Sequence, residues 1–204
     1  MAKWSALPTW WTRDPGLVTF KAVDQAGQSI AAIKVVMAVA LLANFNTHKT
    51  RSSLSDLEEL TGLSRPMVLK GVASLEARNI LQVNRVGHIN EYELWLPEND
   101  GNWGKLPYER LRKQLSGISN RGAVPLAALK IYLILISLRP NQSLTIALSH
   151  EKIRMYTGIQ TRHVRAALDV LLNHSLIRIT ISEGENPTEL EGRHNVYTLL
   201  GLTV

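Results

Sequence analysis

The run in this 204-residue chain whose residue types best suit recognition chemistry is Gln160-Thr161-Arg162-His163-Val164-Arg165. A guanidinium fork matches guanine O6 and N7, a glutamine amide matches adenine, and either arginine can instead hold a phosphate. Further polar and cationic candidates are Ser64, Arg65 and Lys70, then Arg85 and His88, then Arg110, Arg112 and Lys113. No catalytic pattern competes with them. The six histidines, His48, His88, His150, His163, His174 and His194, lack metal-ligand spacing. There is no P-loop, no G-x-G-x-x-G and no G-x-S-x-G. Glu58 and Glu59 are neighbours on a helix, so their carboxylates point apart and read as solvated surface. The chain has no cysteine, which excludes a disulfide scaffold, Cys-ligated zinc and a cysteine nucleophile. A binding protein without metal or cofactor is expected, not an enzyme.

Charge distribution sharpens this. The net charge is +6, but residues 1–100 hold ten Lys/Arg against ten Asp/Glu. Residues 101–182 hold twelve basic residues against Glu109, Glu151 and Asp169. A local surplus of that size attracts a polyanion; a solvated basic face is the plainer alternative. Hydrophobic residues make up 45% of the chain, enough for a globular core. The opening residues show no apolar signal-peptide region. The longest apolar segment, Ile30 to Phe45, is interrupted by Lys34 and falls short of the roughly 20 residues of a membrane span. A buried helix in a cytoplasmic protein is the expectation.

The elements that must position these residues are legible in the periodicity. Residues 1–28 form an arm with Trp4, Trp10, Trp11, Pro8 and Pro15. Such tryptophans pack an arm onto its own domain or onto a second subunit, or stack on bases. Ser29 is a plausible N-cap for an apolar helix carrying Ile30, Ile33, Val36, Met37, Ala40 and Leu41. Asn44 to Arg51 reads as a polar loop. A short helix with inner residues Leu57 and Leu60 follows, then a turn at Gly62. Ser64 can cap the next helix, whose stripe is Val68, Val72 and Leu75. Ile80–Val83 and Glu91–Trp95 read as a hairpin with its tip at Asn84–Asn90. Pro97 to Gly104 breaks the chain, and Tyr108–Leu115 is a short basic helix.

The second half repeats this order. Val124–Leu138 is again an apolar helix, and Ser149 caps a helix running to Thr157. Thr157-Gly158-Ile159 matches Thr61-Gly62-Leu63 at an offset of 96, with Val164, Leu168 and Leu171 matching Val68, Val72 and Leu75. Asn195-Val-Tyr-Thr-Leu199 parallels Asn90-Glu-Tyr-Glu-Leu94 at an offset of 105.

Leu57–Leu81 and Ile153–Ile177 carry a resemblance to the winged helix-turn-helix family. Two such units in tandem are similar to plasmid and phage replication-initiator proteins. They also occur in partition regulators and in kleisin-interacting subunits of chromosome-organising complexes. The resemblance implies a mainly α fold with small β-hairpin wings (α+β). Its divisions would be an arm at 1–28, winged-helix domains at 29–96 and 123–204, and a linker at 97–122. It implies that the second helix of each unit enters the DNA major groove. In unit one that helix would offer Ser64, Arg65, Pro66, Met67, Leu69 and Lys70; in unit two, Gln160, Thr161, Arg162, His163 and Arg165. Arg85 and His88 would lie at the first wing tip, and Arg110, Arg112 and Lys113 would follow the phosphate backbone. The second wing, Ser182–Gly192, holds Glu183, Glu185, Glu189 and Glu191. It would stand off DNA as a solvated loop or bind protein, leaving Arg193 and His194 as possible contacts. The partner expected is double-stranded DNA at the nucleoid or a plasmid, with a homodimer or a protein partner engaged through the arm or the second wing. The competing expectation is a structural subunit that binds protein.

Overall fold

A computed structural model of the chain describes residues 4–13, 16–87, 89–97, 102–181 and 195–202. The expected sites His88, Arg193 and His194 and the acidic second wing lie outside these residues. The architecture is α+β, helical with small sheets. Among the described residues no helix is long and apolar enough to cross a membrane.

Strand β1 (Trp4–Pro8) opens the chain, followed by 3-10 turns at Trp10–Thr12 and Gly16–Thr19. Unit one then comprises α1 (Ala26–Leu42), β2 (Lys49–Ser52), α2 (Leu54–Thr61), α3 (Arg65–Glu76), β3 (Leu81–Val86) and β4 (Ile89–Leu94). Next come β5 (Trp103–Pro107) and α4 (Tyr108–Gln114). Unit two comprises α5 (Ala123–Leu138), β6 (Thr145–Ala147), α6 (His150–Thr157), α7 (Thr161–Asn173), β7 (Ile177–Ile181) and β8 (Asn195–Leu199). Each unit holds a three-stranded antiparallel sheet, ordered β2-β4-β3 and β6-β8-β7.

The repetition extends to details of bonding. Ser53 and Ser149 both cap a helix by accepting a backbone N–H. Thr61 and Thr157 both return their hydroxyl to the carbonyl four residues back, at 2.5 Å. Gly62 and Gly158 adopt φ of 66° and 65°, which glycine reaches without steric cost. Asn90 and Asn195 each donate to the hydroxyl of a buried tyrosine, Tyr92 and Tyr197.

Several sequence expectations need correcting. The first helix begins at Ala26, with Gln25 at the cap position. Ser29 is buried inside it and donates to the Lys21 carbonyl at 2.9 Å instead of capping. The segment read as a polar loop at 44–51 contains β2. Its polar residues are held by cross-strand ion pairs, Lys49–Glu93 and Arg51–Glu91, both 3.0 Å. The first hairpin is tighter than expected, because β3 and β4 pair as far as Val86 and Ile89. Ser64 has N-cap backbone angles but makes no side-chain cap bond.

The segments read as arm and linker are bonded to each other. Trp4-Ser-Ala-Leu-Pro8 and Trp103-Gly-Lys-Leu-Pro107 repeat one pattern and pair antiparallel. Trp4 faces Pro107 and Pro8 faces Trp103, so an approximate twofold axis passes through the ribbon. Trp4 stacks on Trp103 at 5.3 Å, and Trp10 packs edge-on against Trp95. The arm tryptophans thus pack within the chain. Beneath the ribbon α1 packs against α5.

Each helix buries one lysine, a residue seldom found buried without a partner. Lys34 Nζ donates to the carbonyls of Thr61 (2.9 Å) and Ile118 (2.5 Å) and to Asn120 Oδ1 (2.7 Å). Lys130, at the same place 96 residues on, donates among the described residues to the Thr157 carbonyl alone, at 2.9 Å. Lys34→Met orphans three acceptors and Lys130→Met one. The first substitution should therefore cost more stability than the second, by about 1–3 kcal/mol in urea unfolding at neutral pH. Burial lowers both ammonium pKa values from 10.5 to about 8. The folded state releases these protons first as pH rises, and the unfolded chain keeps them until near 10.5. Stability should consequently climb between about pH 8 and pH 10.5. The Lys34→Met/Lys130→Met double variant should lose that slope in the same titration.

Candidate nucleic-acid interface

Helix α7 owes its orientation to one apolar stripe. Val164, Ala167, Leu168 and Leu171 are buried and pack on α5. The opposite face then carries Thr161, Arg162, Arg165 and Asp169, all exposed. Gln160 occupies the N-cap position with extended backbone, and its side chain makes no cap bond. His163 is half-buried beside it. The first-turn N–H groups and the helix dipole add positive potential at this end. From α6, exposed Lys152 and Arg154 add two more cations. Of the five expected unit-two residues, Gln160, Thr161, Arg162 and Arg165 are thus exposed on the first turns of α7, with His163 partly covered.

Unit one presents a weaker version. Val68, Gly71, Val72 and Leu75 seat α3 on α1. Gly71 allows this approach, since a Cβ there would lie 2.8 Å from the Ala31 carbonyl oxygen. Ser64, Arg65, Pro66, Leu69 and Lys70 are exposed. Met67 departs from the expected outward set; it is half-buried against the core, with its methyl near Gly27. Arg65 lies 3.7 Å from Glu58, which offsets its charge. Lys70 has no carboxylate within 4 Å among the described residues.

The wing and linker arginines are already engaged. Arg85 grips Glu76 through both guanidinium nitrogens, at 2.7 and 3.2 Å. Arg110 donates to the Ser175 carbonyl at 3.0 Å, in the turn after α7. Arg112 donates to the Tyr108 hydroxyl at 2.8 Å, while Lys113 is exposed. Because α4 sits at the far end of α7, Arg110 is roughly 20 Å from Arg162 along the axis, at about 1.5 Å per residue. The linker cations and the α7 cations therefore do not form one cluster.

The two halves differ most in ion pairing. All four ion pairs among the described residues lie between positions 49 and 93. In unit two the exposed Lys152, Arg154, Arg162, Arg165 and Arg178 have no carboxylate within 4 Å among the described residues. Two features of this region escaped the sequence reading. Lys21 of the arm joins Gln160, Arg162 and His163 around one cavity, and Lys130 lies at its base. The available signal was a single lysine at the same place in two apolar helices.

No protein-family model matches the chain, and no curated protein matches it.

The Arg85–Glu76 pair permits a direct test of local charge. Glu76→Ala removes an exposed pair, so its effect on stability should stay below about 1 kcal/mol. It frees a guanidinium at the first hairpin, so the variant should elute from heparin at higher salt than the parent protein.

Proposed function

We propose that the chain is a tandem winged-helix protein that binds double-stranded DNA at a specific sequence. The observation that carries this is the cationic face of unit two, set on the first turns of α7 and on α6, which has no carboxylate within 4 Å among the described residues. Exposed cations without internal counter-charges are available to phosphates, and each one so used releases counterions. Arg162 and Gln160, at the start of α7, would read base edges. Arg165, Lys152 and Arg154 would hold phosphates. In unit one Lys70 would hold a phosphate, with Arg65 reading a base once drawn from Glu58.

The approximate twofold relation of the two halves supports a two-part site. Because α3 and α7 carry different side chains, the two half-sites would differ in sequence. Within this class, a replication initiator of plasmid or phage type comes first, ahead of a repressor or partition regulator. Its place would be in the cytoplasm, on a plasmid or the nucleoid. A second reading, a structural subunit that binds protein, draws on apolar groups in the same region. Leu69 and Met155 are 48% and 63% exposed.

Two measurements test the DNA proposal. If the cationic face neutralises about 6 phosphates, log K should fall with log salt at a slope near −5; a flat response would remove the electrostatic basis. Selected-site gel shifts should separate base contacts from phosphate contacts. Arg162→Ala should cost about 1–3 kcal/mol and relax preference at one base pair, whereas Lys70→Ala should weaken all sequences alike. Identical effects of both changes on specific and random DNA would overturn the assignment of roles.

A further inference from the structure

The cavity beside Lys130 has a filled counterpart in the other half of the chain. Around Lys34, residues 118–120 close over the ammonium. Ile118 O and Asn120 Oδ1 accept two of its protons, and Asn120 Nδ2 donates to the Gly62 carbonyl at 2.6 Å. The segment at the same offset of 96 before unit two's lysine is Ala22-Val23-Asp24. It does not close. All three residues are exposed, Val23 to 74%. Lys130 is nevertheless only 5% exposed and, among the described residues, has the Thr157 carbonyl as its one acceptor. Its other two ammonium protons have no acceptor among the described residues, and the side chain lines a cavity of about 330 Å³. That volume lies at the small end of ligand sites, roughly 300–1,000 Å³.

The wall of this cavity is chemically lopsided. Val18, Leu126, Ala127 and Ile159 supply an apolar lining, and Lys21, Lys130 and Arg162 supply positive charge, with no carboxylate among the lining residues. A buried cation without its full set of acceptors is costly unless something supplies them.

We propose that this cavity binds a small organic carboxylate. Its oxygens take the two Lys130 protons that Ile118 and Asn120 take from Lys34, and Arg162 adds a second charged donor at the mouth. Its hydrocarbon body lies against Val18, Leu126 and Ile159. An acceptor group alone would satisfy the lysine, but the apolar wall selects a ligand with a non-polar body, and the cationic rim selects an anion over an amide. The site shares Arg162 with the DNA proposal, but its occupancy is measured without DNA, so the two readings fail separately.

The full-length chain should be titrated with hexanoate, benzoate and phenylacetate, with acetate, inorganic phosphate and the matching primary amides as comparators. Calorimetry and thermal unfolding provide the readouts. At least one of the three larger carboxylates should bind at millimolar concentration and raise the melting temperature, with acetate, phosphate and the amides at least tenfold weaker. Lys130→Met should weaken that binding about tenfold or more, the loss of one charge-assisted contact. Ala22→Trp, at an exposed position on the rim, should block entry while leaving the fold and Lys130 in place. No response to any carboxylate overturns the proposal. So does equal binding by the parent and both variants, or a response to phosphate that matches the best carboxylate. Closure of the cavity by the chain's own Asp24 is the rival outcome. It would show as carboxylate binding that emerges only in Asp24→Ala, and it too would overturn a ligand site in the native protein.

Discussion

One buried ammonium group ties the molecule together. Lys34 lies in the middle of an apolar helix, where charge is tolerated only if its protons are matched. Its three acceptors come from the end of α2 and from the segment leading into α5. The same contact therefore fixes the turn before α3 and locks the second half of the chain onto the first. Breaking it would free the α2–α3 corner and the α4–α5 connection together.

The remaining connections follow a crossed plan. The strands before each unit pair with one another, and the segments after them reach across. Thr12 and Arg13 bond to Ser137 of α5, and Val18 packs over Gly158. In return Ser116 packs over Gly62, while Gln114 meets His174. Arm and linker are thus structural members that each touch both units. This is why Arg110, at the second of these junctions, is held by a backbone carbonyl rather than left on an open surface.

On this symmetric frame the two halves have diverged in the same two respects. Unit one is the more fully satisfied: Lys49, Arg51, Arg65 and Arg85 are matched by carboxylates, and its buried lysine by the chain itself. Unit two is left incomplete at both levels, with exposed cations that meet no carboxylate among the described residues and an open cavity above Lys130. A frame that can be completed internally, as unit one demonstrates, makes the gaps in unit two informative. Both occur where α7 begins.

The sequence by itself determined the local pieces. Helical stripes such as Val68, Val72 and Leu75, the glycine turns at 62 and 158, and the Ser149 cap depend on interactions within a few residues, and their periodicity is written in the chain. The candidate residues on α7 were legible for the same reason, since an inner stripe fixes which side chains face out. Tertiary structure alone decided what depends on distant partners. Strand β2 has no apolar signature and is made by pairing with β4, where Glu91 and Glu93 lie opposite its cations. Arg85 is neutralised by Glu76, and Arg110 is taken by Ser175, 65 residues away. Most of all, Lys34 and Lys130 read alike in their own helices; one is enclosed and the other opens on a cavity because different, remote segments pass above them. Charge compensation acts through space, and separation along the chain carries no record of it.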